Sequence, residues 1–218
     1  MTRRTLLFFR ALLGWRIRVE GLEHVPMEPA IIAGNHQSYL DPVQLWLAAG
    51  PRVPKGMLGI TNPNVARNFA RTFGAWVLPF LGMLPIDPAN PGSSVSGAAA
   101  AIHQGYTVGI FPEGTHNRGD QTRLRAGRTG VARIALATGA PIVPAGLIAP
   151  PGLTTGQALR SFLSRAPAVV RFGEPLRYPK TPETGWTPEL VERIVADTMQ
   201  AVSKLSGRTY TPREPRSR

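Results

Sequence analysis

Short apolar runs that stop abruptly at polar or turn-forming residues, with helical stretches between them, restrict most the shape this chain can take. Ala30 to Ala33 ends at Gly34-Asn35-His36, and Tyr106 to Phe111 runs into Pro112-Glu113. Ile142 to Leu147 is a further run of the same kind, and Ala168 to Phe172 is a candidate for an added strand. Segments this short and this apolar suit strands buried on both faces. Between them, Ser93 to Gln104 is alanine-rich and closed by Gly105, and a second helix is predicted to reach Ala137 and stop near Gly139. Glycine at such points supplies the left-handed turn that ends a helix. The alternation predicts a single α/β domain, with a mostly parallel central sheet flanked by helices and functional loops at the strand ends.

Asp41-Pro42 reads as a helix start, with Asp41 as N-cap and Pro42 at the first helical position, followed by Val43, Leu45, Trp46 and Leu47. Thr187-Pro188 opens the last helix, which places Val191, Ile194, Val195, Thr198, Met199 and Val202 on one face. Asn62 to Arg71 reads as a basic surface helix, and the uncharged stretch from Phe73 to Ile86 as core or a membrane-dipping surface. That stretch is too short to span a bilayer as a helix. The organisation expected is a leading helix over 1–18, one domain over 19–205, and a basic, disordered tail over 206–218.

With 218 residues, 43% of them hydrophobic, one domain can bury its own core. The chain has no cysteine, which removes thiol nucleophiles, disulfides and cysteine-ligated zinc. A net charge of +12 attracts anionic lipid, phosphorylated substrates, acidic carriers or nucleic acid. The aromatics lie in apolar stretches and not among the arginines, which argues against nucleic acid. Segment 1–18 carries Arg3, Arg4, Arg10, Arg16 and Arg18 beside Leu6, Leu7, Phe8, Phe9, Leu12, Leu13 and Trp15. It is too charged to cross a bilayer, and Arg10 interrupts any signal-peptide core. A basic helix lying in a membrane interface fits it, and a helix packed on the core is the competing reading.

His36 and Asp41 are separated by four residues. On one helix their side chains would diverge, so they meet only across a turn, which Pro42 favours. There Asp41 can hold one imidazole nitrogen while the other accepts a proton from a hydroxyl. Alone, the pair is also what a helix cap and a polar loop histidine produce. The second cluster, Phe111-Pro112-Glu113-Gly114-Thr115, ends another predicted strand, with His116, Arg118, Arg123, Arg125 and Arg128 following. A glycine turn with exposed amides and several guanidinium groups suits a phosphate. No compact ligand pair at helical spacing points to a metal, and no Gly-x-Ser-x-Gly elbow points to a serine nucleophile.

Taken together, these segments resemble the glycerolipid acyltransferases that include 1-acylglycerol-3-phosphate acyltransferase. Asn35, His36 and Asp41 match the first motif, and Phe111 to Thr115 match the acceptor motif. Leu124-Arg125-Ala126-Gly127, Ile142-Val143-Pro144 and the entry segment Val19 to Glu23 are similar as well, so the resemblance covers roughly Val19 to Leu147. It implies a glycerol-3-phosphate acyltransferase-like fold. It further implies transfer of a fatty acyl group from acyl-CoA or acyl carrier protein, as co-substrate, to a lysophospholipid hydroxyl, with 1-acylglycerol-3-phosphate giving phosphatidic acid. His36 and Asp41 would be catalytic. Glu113, Gly114, Thr115, Lys55, Arg118 and Arg125 would bind the acceptor, without metal or other cofactor. The partners implied are an anionic membrane surface, the lysolipid and the thioester carrier, on the cytoplasmic face of a membrane. Two departures touch the headgroup: Pro88 follows Leu84-Pro85-Ile86-Asp87, and His116 follows Thr115, where arginine is common in the family. Another acceptor, such as lyso-ornithine lipid or a glycolipid, is therefore the alternative; a thioester hydrolase and a non-catalytic lipid-binding protein are the remaining rivals.

Overall fold

A computed structural model describes residues 4, 7, 8, 10, 11, 17–38, 40–61, 83–85, 92–117, 119–149 and 168–212. Along the chain these form β1 (Ile17–Glu20), β2 (Ile31–Gly34), α1 (Asp41–Ala49), β3 (Met57–Thr61), β4 (Met83–Pro85), α2 (Gly92–His103), β5 (Thr107–Ile110), α3 (Gly130–Thr138), β6 (Ile142–Ile148), β7 (Ala168–Phe172) and α4 (Pro188–Ser206). The described strands make one sheet in the order β1-β7-β6-β2-β5-β3-β4. Neighbours run parallel except β6 and β7. The expected mostly parallel α/β sheet is therefore the architecture found.

The sequence of β2 explains its central place. Every residue from Ile31 to Gly34 is buried, as a strand covered on both faces requires. Ile31 and Ala33 point into a core formed with α2, α3 and α4, while Ala30 and Ile32 point into a second core against α1. Burying each isoleucine side chain favours the fold by about 1.5–3 kcal/mol. Glycines let the helices come close: a Cβ at Gly146 of β6 would lie 2.4–2.6 Å from backbone atoms of Leu205 and Ser206 at the end of α4. The predicted apolar face of α4, Val191 through Val202, is buried, and Thr187 caps the helix by accepting from the Leu190 N–H at 3.2 Å. Gly105 and Gly139 close α2 and α3 with positive φ, as expected.

Several expectations change. Asp41 does not cap α1; no side chain caps that helix, and the carboxylate turns back onto the loop before it. Ile17 and Arg18 belong to β1, paired with Ala168 and Val169, and not to a leading helix over 1–18. Arg4, Leu7, Phe8, Arg10 and Ala11 are helical, and Arg10 donates at 2.8 Å to the carbonyl of Leu47, meeting an orphan acceptor at the end of α1. This ties the leading helix to the body, while Phe8 stays 65% exposed. The tail expected to be disordered from 206 is anchored at first: the Thr209 N–H donates to Thr122 at 2.9 Å, and Leu124 donates to the Thr209 carbonyl at 2.8 Å. Residues 213–218, the helix expected over 62–71, and all of 73–86 except 83–85 lie outside the described residues. Among the described residues no helix is long and apolar enough to cross a membrane.

Candidate active site

The site gathers where β2, β5 and β6 end. β2 stops one residue short of the Asn35 side chain, which continues its ladder: Asn35 donates to the Leu147 carbonyl at 3.0 Å and accepts from its N–H at 2.7 Å. The chain is thus fixed immediately before His36. The turn after it brings Asp41 back, so that His36 Nδ1 lies 3.0 Å from Asp41 Oδ2. The same oxygen accepts the backbone N–H groups of Gln37 at 2.5 Å and Ser38 at 2.6 Å. Asp41 is 1% exposed, and the His36 side chain 14%. An oxygen that already accepts two amides directs the histidine to place its proton on Nδ1, which leaves the Nε2 lone pair free of that pairing.

β5 delivers the second cluster beside the first. Glu113 accepts the His36 N–H at 2.8 Å with Oε1 and the Arg125 N–H at 2.8 Å with Oε2. It is 3% exposed, and burial pushes its carboxyl up from the ordinary 4.5, against the lowering effect of those two amides. Both oxygens being engaged in a buried position, Glu113 braces His36 and does not face an acceptor as expected. Gly114 adopts φ 72°, and the bare Cα lets the Arg128 side chain lie across the turn. Gly114 and Thr115 are exposed at the rim.

The His36 ring is sandwiched. Phe111 stacks on it with centroids 4.2 Å apart, and His116 lies against it at 3.8 Å. Around the loop, Asn117 donates its N–H to the His36 carbonyl at 3.1 Å, and its side chain holds the carbonyls of Asp120 and Arg123. Arg208, from the anchored stretch after α4, donates to Gln37 Oε1 and to the Gln121 carbonyl. Burial lowers the pKa of its guanidinium, and the charges of Glu113, Asp41 and Asp120 oppose that. Gln37, Asn117 and Arg208 carried no signal in the sequence beyond ordinary polar and basic loop residues.

Other expected acceptor contacts are dispersed. Lys55 precedes β3, which runs parallel to β2 through β5, so it sits at the other end of the sheet, a strand length of roughly 13 Å away. There it donates to the Gln104 carbonyl at 3.2 Å and lies over the Tyr106 ring. It does not belong to the site. Arg125 does, through its backbone, with its side chain exposed; Arg118 lies outside the described residues. His24 is at the far end as well, 3.2 Å from Glu174, because β1 runs opposite to β2.

Residues 16–148 match the Acyltransferase family. The chloroplastic 1-acyl-sn-glycerol-3-phosphate acyltransferase LPAT1 of Arabidopsis thaliana is 31% identical over 60% of this chain and 35% of its own length. The 1-acyl-sn-glycerol-3-phosphate acyltransferase of Borreliella burgdorferi is 33% identical over 61% of this chain and 51% of its own. The chain thus spans about a third to a half of the length of these curated relatives. The crystal structure of the 1-acyl-sn-glycerophosphate acyltransferase PlsC from Thermotoga maritima shares the fold, with a TM-score of 0.61 at 20% identity over 95% of this chain and 80% of that one.

Proposed function

The chain belongs to the Acyltransferase family, and from that premise we propose that it moves a fatty acyl group from the thioester of acyl-CoA or acyl carrier protein to the hydroxyl of a lysophospholipid, converting 1-acylglycerol-3-phosphate to phosphatidic acid. The observation that carries this reading is the contact of His36 Nδ1 with a buried Asp41 that two backbone amides already hold in place. Nε2 accepts the proton of the acceptor hydroxyl as its oxygen attacks the thioester carbonyl. The tetrahedral intermediate collapses, the C–S bond breaks, and the proton on Nε2 passes to the departing thiolate. Asp41 stabilises the imidazolium between these steps. No covalent enzyme intermediate forms, and the thioester donor is the co-substrate the chemistry needs.

Gly114, Thr115 and the Arg125 and Arg128 side chains at the rim support a place for an anionic headgroup. The positive charge and the exposed Phe8 support work at an anionic membrane surface, and the cytoplasmic face is the one we propose. Because His116 packs on the catalytic ring in a place where the family commonly has arginine, an acceptor with less phosphate character, such as lyso-ornithine lipid or a glycolipid, is the second reading.

The test incubates the protein in vesicles with labelled acyl-CoA or acyl carrier protein and a panel of lysolipids, and follows products by mass. Diacylated product from lysophosphatidate supports the main reading; product from a phosphate-free acceptor alone supports the second. Thioester loss without an acceptor, or near-normal turnover by His36→Ala, sinks both.

A further inference from the structure

We infer that Arg208 is a positioning residue of the acyl-transfer site, its guanidinium clamping the His36 loop from both sides. One arm reaches Gln37, whose own N–H is held by the Asp41 oxygen that pairs with His36. The other reaches the Gln121 carbonyl; Gln121 in turn donates to the Asn117 carbonyl, and the Asn117 N–H donates to the carbonyl of His36. The histidine backbone and the carboxylate that orients its ring thus lead back to one cation through short chains of hydrogen bonds.

The placement is costly by itself, since Nε of Arg208 is buried without a partner. Its charge lies among Glu113, Asp41 and Asp120, which offsets that cost. Arg208 stands outside residues 16–148, and it reaches the site because Gly146 lets α4 end directly against β6. A planar fork with two donating nitrogens can hold two acceptors at once, which a lysine ammonium on a flexible stem does not reproduce. The inference rests on the reading of His36 as proton acceptor.

The test pairs kinetics with amide hydrogen exchange on Arg208→Ala, Arg208→Lys and Gln37→Ala, all in the full chain. In Arg208→Ala, exchange is expected to rise about tenfold in peptides covering 36–41 and 116–121 and to stay unchanged in α2 and α3, as local opening requires. Turnover is expected to fall roughly 10- to 100-fold with the acceptor KM within about threefold, the mark of lost positioning. Arg208→Lys recovers little, whereas added guanidinium restores part of the turnover of Arg208→Ala. Gln37→Ala reproduces part of the effect, and the double variant is less than additive. Unchanged exchange in these loops, a change confined to KM, or full activity in Arg208→Lys overturns the inference. Should Arg208→Ala fail to fold, Gln37→Ala decides by the same measures. A wild-type protein inert toward every acceptor would count against the proposed function, while the exchange pattern still judges the clamp.

Discussion

At the scale of single residues, two buried carboxylates hold the site, Asp41 through one oxygen shared by three groups and Glu113 through one amide on each oxygen. Asp41 Oδ2 serves two amides and the His36 ring, so removing the group and removing its charge have different outcomes. Asp41→Asn keeps an oxygen in that position but no longer stabilises an imidazolium; turnover is expected to fall about 10³-fold with little change in urea midpoint. Asp41→Ala leaves buried amides unmet and is expected to cost roughly 2–4 kcal/mol in the same unfolding experiment. Glu113 gives a pH signature. Its folded pKa is raised by burial, so the folded state binds the proton more tightly than the unfolded chain. The stability from this group is complete below the ordinary 4.5 and declines as pH rises through the raised value. Thermal unfolding from pH 4 upward, compared between wild type and Glu113→Gln, should show that decline only in wild type; equal slopes would refute the assignment.

At the scale of elements, glycines decide how closely helix and sheet approach. A Cβ at Gly146 would meet backbone, not a flexible side-chain tip, so Gly146→Ala must displace the end of α4. A loss of roughly 3 kcal/mol is expected by urea titration, and with it a fall in turnover as Ser206 to Arg208 shift. The same packing explains what the sequence revealed. β2, β5 and β6 were legible as apolar runs ending in polar turns, and β7 as a short alternating segment whose Ala168, Val170 and Phe172 are buried. β3 was not, although it carries an interior glycine just as β5 does; at Gly59 a Cβ would come within 2.8 Å of the Trp46 ring of α1, so the glycine seats the helix against the strand. β1, half-exposed at the sheet edge, is hidden in a basic segment for a related reason, since its register comes from Ala168 to Arg171 far along the chain. Within the site, His36 and Asp41 were readable as a spaced pair, but the bracing role of Glu113 depends on Arg125 and His36 meeting across strand ends. Lys55 was misplaced because charge and composition carry no information on which end of a sheet a loop occupies.

At the scale of the whole molecule, the net charge of +12 and the exposed Leu7 and Phe8 on the leading helix bear on the proposed work at an anionic membrane surface. Binding to vesicles containing anionic lipid should exceed binding to neutral ones and weaken between 0.05 and about 0.5 M salt, as the screening length contracts. Cosedimentation checks this; equal, salt-independent binding to both would contradict an electrostatic contribution. The sheet order has a further consequence during synthesis. β2 lies between β5 and β6, and Glu113, the bracing partner of His36, lies 77 positions after it in the chain. At about 5–20 residues per second, the strand that carries the histidine leaves the ribosome roughly 4–15 s before its first neighbour. For that interval an apolar edge with open hydrogen-bonding groups is available to any passing chain, so slower emergence of β5 is expected to raise co-translational aggregation.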